Sequence, residues 1–307
     1  MTTTRVGYLG PAGTFSHEAA LALGEQATSI VAFPSILDVL DAVSSGGVDR
    51  AIVPIENAIE GTVSATMDGL VFDHELVIQH EIVLPIRLHL MAREGVTRAE
   101  VAVVTSYAHA LAQCRKFLTA TGFSELLNVA STAEAAQLVA GSSTPMAAIA
   151  SRVAAETYGL SIIESNIEDH EDNETRFVVV GRSQVPAPTG HDRTTIVCFQ
   201  DDDHPGSLYG ILGRFAARDL NLTKVESRPT KRGIGDYCFI VEFEGHIADD
   251  LVADCLTDLQ AHMTRVKFLG SYPVTGAAAD RRREEVSTAR VEATAWVNEL
   301  RGRVLRG

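Results

Sequence analysis

Short apolar runs alternate with stretches of helical periodicity from Arg5 to about Gly181. Runs of a few apolar residues between turn residues are typical of strands, and apolar positions three or four apart are typical of helices. Strands that alternate with helices predict an α/β sheet with helices packed on both faces. The predicted strands cover 6–9, 29–33, 51–53, 101–106, 146–151 and 176–181, with a longer strand-like stretch at 76–91.

Two of the predicted helices begin with a capping pattern. Ser35 precedes an amphipathic stretch that has Asp38 at its third helical position. Ser131 stands three residues before Glu134, which is the spacing of a capping box. Serine at these places can accept a hydrogen bond from a backbone N–H of the first turn, so a helix is expected to follow each one.

The pattern changes after residue 183. Residues 184–193 contain two prolines and one glycine among few apolar residues, so they predict a linker. Beyond them the order strand, helix, strand, strand, helix, strand fits into about 80 residues and predicts a ferredoxin-like βαββαβ domain. The predicted strands are 194–200, 222–228, 236–245 and 265–272, and the predicted helices are 204–221 and about 248–262.

The last residues predict one more helix. Ala289, Ala293, Trp296, Leu300 and Val304 recur at spacings of three and four, which gives a single apolar stripe that we expect to pack on the protein itself. The expected organisation is therefore a first domain at 1–183, a linker at 184–193, a second domain at 194–275 and a helical tail at 276–307.

Composition and charge narrow the classes of function. The 307 residues include 26 basic and 40 acidic side chains, a net charge of −14. This balance argues against a general binder of nucleic acid or of anionic membranes, because such partners attract a basic surface. No apolar run approaches a membrane span of about 20 residues, and no secretory signal is recognisable, so a cytoplasmic location is expected. The cysteines are scattered, and no metal or dinucleotide motif is present, so neither metal nor cofactor is expected.

Two segments at the ends of predicted strands carry polar groups. Residues 10–16, GPAGTFS, follow the first strand, and the exposed N–H groups of the helix that begins there could bind an anion near Thr14. Residues 54–57, PIEN, end the third strand and place Glu56 and Asn57 where ligands of open α/β sheets bind. Taken alone, each segment is better explained as an ordinary turn or cap.

Two further segments offer candidates. Ser106 and Gln113 are seven residues apart, so on one helix they would share a face about 10 Å apart and could hold opposite ends of an elongated ligand. Ser106 alone also fits a helix N-cap. At the start of the last strand, Thr175 and Arg176 place a hydroxyl next to a permanent cation. Such a pair suits a carboxylate ligand with a leaving hydroxyl, although threonine and arginine are also common at strand ends.

The motifs indicate a family when they are considered together and in their order along the chain. The set consists of GPAGTFS, PIENAIEGTV, S-x-x-x-A-L-A-Q-C, DNETRF, P-G-S-L and Glu226–Pro229. In this order, over about residues 5 to 275, the motifs resemble those of the prephenate dehydratase family with a C-terminal ACT domain. The chain begins directly at the first strand, which fits the monofunctional form without a chorismate mutase segment. The resemblance implies a two-lobed catalytic domain like that of periplasmic binding proteins. One lobe would combine the chain before about Glu75 with the chain after about Ser165.

The resemblance also implies an activity and its residues. The family removes CO2 and hydroxide from prephenate to give phenylpyruvate, and the gain in aromaticity requires no cofactor. Thr175 is implicated in catalysis, as a donor to the departing hydroxyl, with Glu56 as the second candidate proton source. Phe177 is expected in the core. The residues expected to bind the substrate are Thr14, Asn57, Ser106, Gln113 and Arg176.

Regulation is implied for the second domain. L-Phenylalanine is the expected effector, bound between ACT domains of a homodimer or homotetramer. The matching positions are Pro205, Gly206, Ser207 and Leu208 in one segment and Glu226, Ser227, Arg228 and Pro229 in the other. The family's H-P-Q is replaced here by residues 107–109, YAH, and P-G-A-L by P-G-S-L. The first change leaves Ser106 and Gln113 in place. Effector selectivity among Phe, Tyr and Trp is left open by the second change, because Ser207 and Tyr209 add polar groups near the effector. Arogenate dehydratase and a non-catalytic cytoplasmic amino-acid sensor are the alternative functions.

Overall fold

A computed structural model describes residues 4–200, 205–231, 233, 235–275, 295–297, 299–300 and 303. The chain forms two compact units, 1–185 and 186–307, so the division falls inside the expected linker. Each unit builds its own hydrophobic core. No helix among the described residues is both long and apolar enough to cross a membrane.

The first unit contains eleven strands and seven α-helices among the described residues. The strands are β1 (Arg5–Leu9), β2 (Ser29–Phe33), β3 (Arg50–Asn57), β4 (Gly61–Thr62), β5 (Val77–Pro85), β6 (His89–Ala92), β7 (Val103–Tyr107), β8 (Leu126–Val129), β9 (Met146–Ala150), β10 (Ser161–Glu164) and β11 (Glu174–Gly181). The helices are α1 (Phe15–Ala22), α2 (Ile36–Ser44), α3 (Ser64–Asp68), α4 (Ala108–Gln113), α5 (Arg115–Thr121), α6 (Thr132–Gly141) and α7 (Arg152–Tyr158).

These elements form two lobes, each built on one mixed sheet. The first sheet has the order β2-β1-β3-β11-β5, with β4 paired to β3, and the second has the order β10-β6-β9-β7-β8. The two-lobed α/β fold predicted from the family resemblance is therefore confirmed. The predicted helix starts are also confirmed, because the Oγ atoms of Ser35 and Ser131 accept hydrogen bonds from the backbone N–H of Asp38 and Glu134.

The predicted point of crossing between the lobes was wrong. β5 belongs to the first lobe because it pairs with β11 along its whole length, so the chain leaves that lobe after Pro85 and not near Glu75. It returns between β10 and β11. The two crossing segments lie side by side, since the backbone N–H of Ile86 donates to Asn173 O at 2.8 Å and that of Ile167 donates to Leu88 O at 2.9 Å.

One hydrophobic cluster of the first lobe lies between its sheet and α1. Phe177 on β11 is 1% exposed and belongs to one hydrophobic cluster with Val6 on β1 and Ile52 on β3, as predicted for a core residue. Aliphatic residues continue along β11, so the strand is buried on both faces. This burial fixes the register of the central strands and hence the positions of the polar residues at their ends.

The second unit has the predicted βαββαβ order. Its elements are β12 (Asp192–Phe199), α8 (Ser207–Ala216), β13 (Leu222–Pro229), β14 (Tyr237–Glu244), α9 (Asp250–His262) and β15 (Arg265–Pro273). The antiparallel sheet has the order β13-β14-β12-β15. Phe215 and Phe243 pack at a centroid distance of 5.0 Å in the core between helices and sheet.

The ends of the second unit differ from the predictions. α8 is shorter than the predicted 204–221, because Gly206 before it and Asp219 after it have left-handed backbone angles that a helix does not accept. In the tail, residues 295–297 and 299–300 are helical, and Trp296 is 61% exposed. Ala289, Ala293 and Val304 of the predicted stripe lie outside the described residues.

Candidate active site

Several hydrogen bonds cross the boundary between the two lobes, which we call the crevice. Ser151 Oγ donates to Gly13 O at 3.0 Å, and Tyr158 Oη donates to Ala12 O at 2.8 Å. The carboxyl ends of β1 and β3 lie at one edge of the first sheet, and those of β7 and β9 lie at one edge of the second, because each pair is parallel. The bridging contacts follow these strand ends, so the crevice is the place where an open α/β sheet binds a ligand.

Asn57 and Thr175 lie side by side at this edge of the first sheet. They are register partners on β3 and β11, and Asn57 Nδ2 donates a hydrogen bond to Thr175 Oγ1 at 2.9 Å. Thr175 is 8% exposed. Among the residues that the structure describes, Asn57 is the hydrogen-bond partner of this hydroxyl. Since the hydroxyl oxygen accepts from Asn57, its own proton is available for another acceptor.

The orientation of the Asn57 amide follows from its surroundings. Asn57 Oδ1 accepts from the backbone N–H groups of Ile59 and Glu60 at 2.9 and 3.0 Å. Two donors on one atom identify that atom as the oxygen, so the NH2 group must face Thr175. The same NH2 group lies 3.0 Å from Asn173 Oδ1.

A polar chain continues from Asn57 to the second lobe. Asn173 Nδ2 donates to Gln113 Oε1 at 3.3 Å, so Gln113 at the end of α4 is joined to the strand pair through Asn173. Asn173 is 2% exposed. Asn173 lies within the motif DNETRF, and no role was predicted for it. Its signal was a short amide side chain two residues before Thr175, at the start of a buried strand.

Glu56 and Arg176 lie on the opposite face of the same strand pair. Arg176 Nη2 donates to Glu56 Oε2 at 2.8 Å, and its Nη1 lies 3.5 Å from Glu81 Oε2. Successive side chains on a strand point to opposite faces, which separates this cluster from Asn57 and Thr175. The guanidinium therefore balances two carboxylates of its own lobe, and the structure does not bring Glu56 together with Thr175.

The hydroxyl groups of Thr14 and Ser106 form hydrogen bonds within the protein itself. Thr14 is the N-cap of α1, where its Oγ1 accepts from His17 N at 3.2 Å and lies 3.0 Å from its acceptor Leu9 O. Ser106 is fully buried on β7 and donates to Ile149 O at 2.6 Å. The interpretation of Ser106 as a helix cap, and its shared helix face with Gln113, were wrong because β7 continues through Tyr107.

Burial shifts the pKa values of the ionisable groups beside the GPAG loop. The imidazole of His17 stacks on Tyr8 at 5.1 Å, and its Nδ1 accepts from Gly13 N at 3.0 Å. Burial lowers the pKa of His17 and raises the pKa values of Tyr8 and Tyr158. These groups are therefore favoured in their neutral forms. In the part of the chain that the structure describes, no group of three or more His, Cys, Asp or Glu could hold a metal ion.

The expected effector residues lie at one end of the second unit. β12 and β13 both run antiparallel to β14, so the start of α8 and the end of β13 come to the same end of the domain. Gly206 has a φ of +91° at the N-cap of α8, a backbone angle that favours glycine. Arg228 Nη1 donates to Glu226 Oε1 at 2.9 Å. Pro205, Ser227 and Pro229 are exposed, and Ser207 and Leu208 are half-buried.

Fold and site together define a two-lobed α/β protein with polar residues between its lobes, followed by a ferredoxin-like domain. A family model described as Prephenate dehydratase matches residues 6–185, and one described as ACT domain matches residues 194–260. The chain belongs to the prephenate dehydratase family and carries an ACT domain. Members of this family are lyases that dehydrate and decarboxylate their substrate.

Curated relatives agree over most of the chain. The prephenate dehydratase of Bacillus subtilis (strain 168) is 38% identical over 279 residues, which cover 87% of this chain and 98% of that protein. The prephenate dehydratase of Mycolicibacterium vanbaalenii is 38% identical over 315 residues, which cover 96% and 98%. The bifunctional chorismate mutase/prephenate dehydratase of Aquifex aeolicus is 41% identical over 88% of this chain and 73% of its own length.

Solved structures show the same architecture. Prephenate dehydratase from Arthrobacter aurescens in complex with L-Phe matches with a TM-score of 0.82 at 34% identity, covering 97% of this chain and 99% of that chain. A protein described as GqqA, a novel type of quorum quenching acylases, matches with a TM-score of 0.79 at 27% identity, covering 88% and 98%. One architecture is thus described with two activities. The residues of the site, and not the fold alone, therefore indicate the chemistry.

Proposed function

We propose that this chain converts prephenate to phenylpyruvate, with the Thr175 hydroxyl donating a hydrogen bond to the departing ring hydroxyl. One observation carries the proposal. Thr175 Oγ1 accepts from Asn57 Nδ2 at 2.9 Å, which directs the threonine proton away from Asn57. A donor that is held in place before the reaction stabilises charge as it develops on a leaving group.

The reaction balances with one proton. The bond between the ring carbon and its carboxylate breaks and releases CO2, and its electron pair enters the ring. The C–O bond opposite breaks, and the hydroxide leaves as water after it takes up a proton. The ring becomes aromatic. Because a neutral hydroxyl is a weak acid, Thr175 acts as a donor or a relay and not as the ultimate source of this proton.

Four of the five predicted substrate-binding residues fall into two groups according to their hydrogen-bond partners. Asn57 and Gln113 belong to the polar chain that joins the lobes, so we assign both to the ligand crevice. The hydroxyl groups of Thr14 and Ser106 already have intramolecular partners. We therefore assign the anion contact near Thr14 to the backbone N–H groups at the start of α1, whose positive end attracts a carboxylate.

Glu56 and Arg176 receive a supporting role in this proposal. Their ion pair, joined by the buried carboxylate of Glu81, holds the ends of β3 and β11 together on the face opposite Thr175. Glu56 is therefore not assigned as the proton source, and Arg176 is not assigned as the cation that binds the substrate carboxylate.

L-Phenylalanine is the proposed effector of the ACT domain. The supporting facts are the match to the ACT family and the likeness to a relative described in complex with L-Phe. The start of α8 offers N–H groups for the carboxylate of a free amino acid, and Glu226 offers an anion for its ammonium group. Association into a dimer or tetramer and a cytoplasmic location belong to the same proposal.

A spectroscopic assay tests the function. Purified protein is incubated with prephenate, and the absorbance of phenylpyruvate is followed, with arogenate in a parallel reaction. We expect turnover of prephenate and a rate that changes with added L-phenylalanine. Turnover of arogenate alone would identify the alternative dehydratase. No turnover of either compound, together with binding of L-phenylalanine, would favour the amino-acid sensor and contradict the proposal.

A further inference from the structure

We propose that Glu60 and His109 form a closure contact across the crevice and act as positioning residues for Thr175. The inference rests on the proposed function, because it concerns the dehydration of prephenate. Glu60 belongs to the turn between β3 and β4 in the first lobe, and His109 belongs to α4 in the second. Glu60 Oε1 and His109 Nδ1 are 2.7 Å apart, so this pair directly joins the lobes.

Tyr107 restrains the imidazole in this contact. The rings of Tyr107 and His109 stack at a centroid distance of 5.2 Å with an interplanar angle of 14°. The stacking favours a plane of the imidazole ring in which Nδ1 can face Glu60. Tyr107 is the last residue of β7, which fixes its backbone within the sheet of the second lobe.

A short chain of hydrogen bonds leads from the closure contact to the reacting group. The backbone N–H of Glu60 donates to Asn57 Oδ1 at 3.0 Å, and Asn57 Nδ2 donates to Thr175 Oγ1 at 2.9 Å. Any movement of the turn that carries Glu60 therefore shifts the amide that orients the threonine. When His109 holds Glu60, closure of the crevice and alignment of the hydroxyl become one event.

The contact is suited to positioning and contributes little to stability. The side chains of His109 and Glu60 are 56% and 45% exposed, and ion pairs at such exposure are largely screened by water. Two other interlobe bonds, Ser151 to Gly13 and Tyr158 to Ala12, end on backbone carbonyls of the GPAG loop and not on Asn57. Besides the link from Asn57 through Asn173 to Gln113, the contact of Glu60 with His109 therefore connects the second lobe to the catalytic pair.

Steady-state kinetics on His109→Ala, Glu60→Ala and the double variant test the inference. We expect kcat for prephenate to fall about 3- to 20-fold in each single variant, because an interaction between contacting residues is lost. KM should change by less than about 3-fold, since other groups bind the carboxylates. The double variant should be no slower than the slower single variant. His109→Lys should restore part of the lost kcat, because lysine supplies another donor to Glu60.

A matched control separates this role from a general effect of removing surface charge. Arg98 and Glu164 form an exposed ion pair at 2.8 Å within the second lobe, so Arg98→Ala should leave kcat unchanged. Wild-type kcat in both single variants, a rise in KM at constant kcat, or additive losses in the double variant would overturn the inference. If the wild-type protein itself fails to convert prephenate, the proposed function fails instead, and the two failures are distinguishable.

Discussion

The strand pair β3–β11 and the segment from β7 into α4 both contain predicted site residues, but the polar groups of these residues are used differently. In the strand pair, Asn57 bonds to Thr175 and leaves the threonine proton available. In the other segment, the Ser106 hydroxyl is buried and bonded to Ile149 O, and only Gln113 reaches the polar chain between the lobes. A polar residue at the end of a strand can thus serve chemistry or packing, and its bonding partners distinguish the two.

This difference predicts which substitutions change rate and which change stability. Residues whose polar atoms remain available at the crevice should affect kcat with little change in unfolding. Residues whose polar atoms satisfy backbone groups should affect the free energy of unfolding with little change in kcat. Replacement by alanine of Thr175, Asn57, Ser106 or Thr14 tests that division.

Thr175→Ala should have the largest effect. We expect kcat to fall on the order of 10²- to 10³-fold, because the variant lacks one donor to the leaving group in the transition state. Thr175→Ser is the control, since it retains the hydroxyl and should keep most of the activity. Wild-type turnover in Thr175→Ala would remove the threonine from the mechanism.

Asn57→Ala should come next. The Thr175 hydroxyl would remain but lose the donor that orients it, and a misplaced catalytic group can cost up to about 10²-fold in rate. Asn57 also accepts from two backbone N–H groups, so the free energy of unfolding must be measured by urea denaturation in parallel. An active variant with native-like kcat would break the proposed link between Asn57 and Thr175.

Ser106→Ala should instead lower stability. The substitution leaves the buried carbonyl of Ile149 without this donor, which should cost about 1–3 kcal/mol in unfolding free energy. kcat at a temperature where the variant is folded should stay within a few-fold of wild type. Thr105→Val is the matched control, because Thr105 is also buried on β7 and bonds to Leu127 O. A large loss of kcat in Ser106→Ala alone would assign Ser106 to the substrate after all.

Thr14→Ala should have the smallest effect of the four. Loss of the N-cap of α1 should lower the unfolding free energy by about 0.5–2 kcal/mol, as measured by urea denaturation. The backbone N–H groups at the helix start remain, so the KM for prephenate should rise only slightly. A rise in KM of more than about 10-fold at unchanged stability would mean that the hydroxyl itself binds the substrate.

Local sequence patterns predicted much of the fold. β2 covers the predicted residues 29–33, because an apolar run between turns leaves few alternatives. The starts of α2 and α6 follow from Ser35 and Ser131, whose caps depend on residues three positions away. The order of elements in the second unit was also predicted, since each strand and helix there has a clear period of its own.

The errors concern contacts that the local pattern does not contain. The assignment of β5 to a lobe depends on its pairing with β11, which comes much later in the chain. Thr175 and Asn57 are 118 positions apart, and only the register of β3 against β11 places them together. The same register places Glu56 and Arg176 on the opposite face, which could be deduced only once the strand pairing was known. Family resemblance supplied Thr175, whereas Asn173 was missed because its role depends on its hydrogen bonds to Asn57 and Gln113.

The kcat of the Asn57→Ala/Thr175→Ala double variant, compared with that of each single variant, tests the central claim most directly. If Asn57 acts by orienting the Thr175 hydroxyl, it has nothing to orient once that hydroxyl is gone. The double variant should then be as fast as Thr175→Ala alone, within about 3-fold, because residues that act as a unit give non-additive losses. Losses that multiply in the double variant would show that the two residues act independently and would contradict the account.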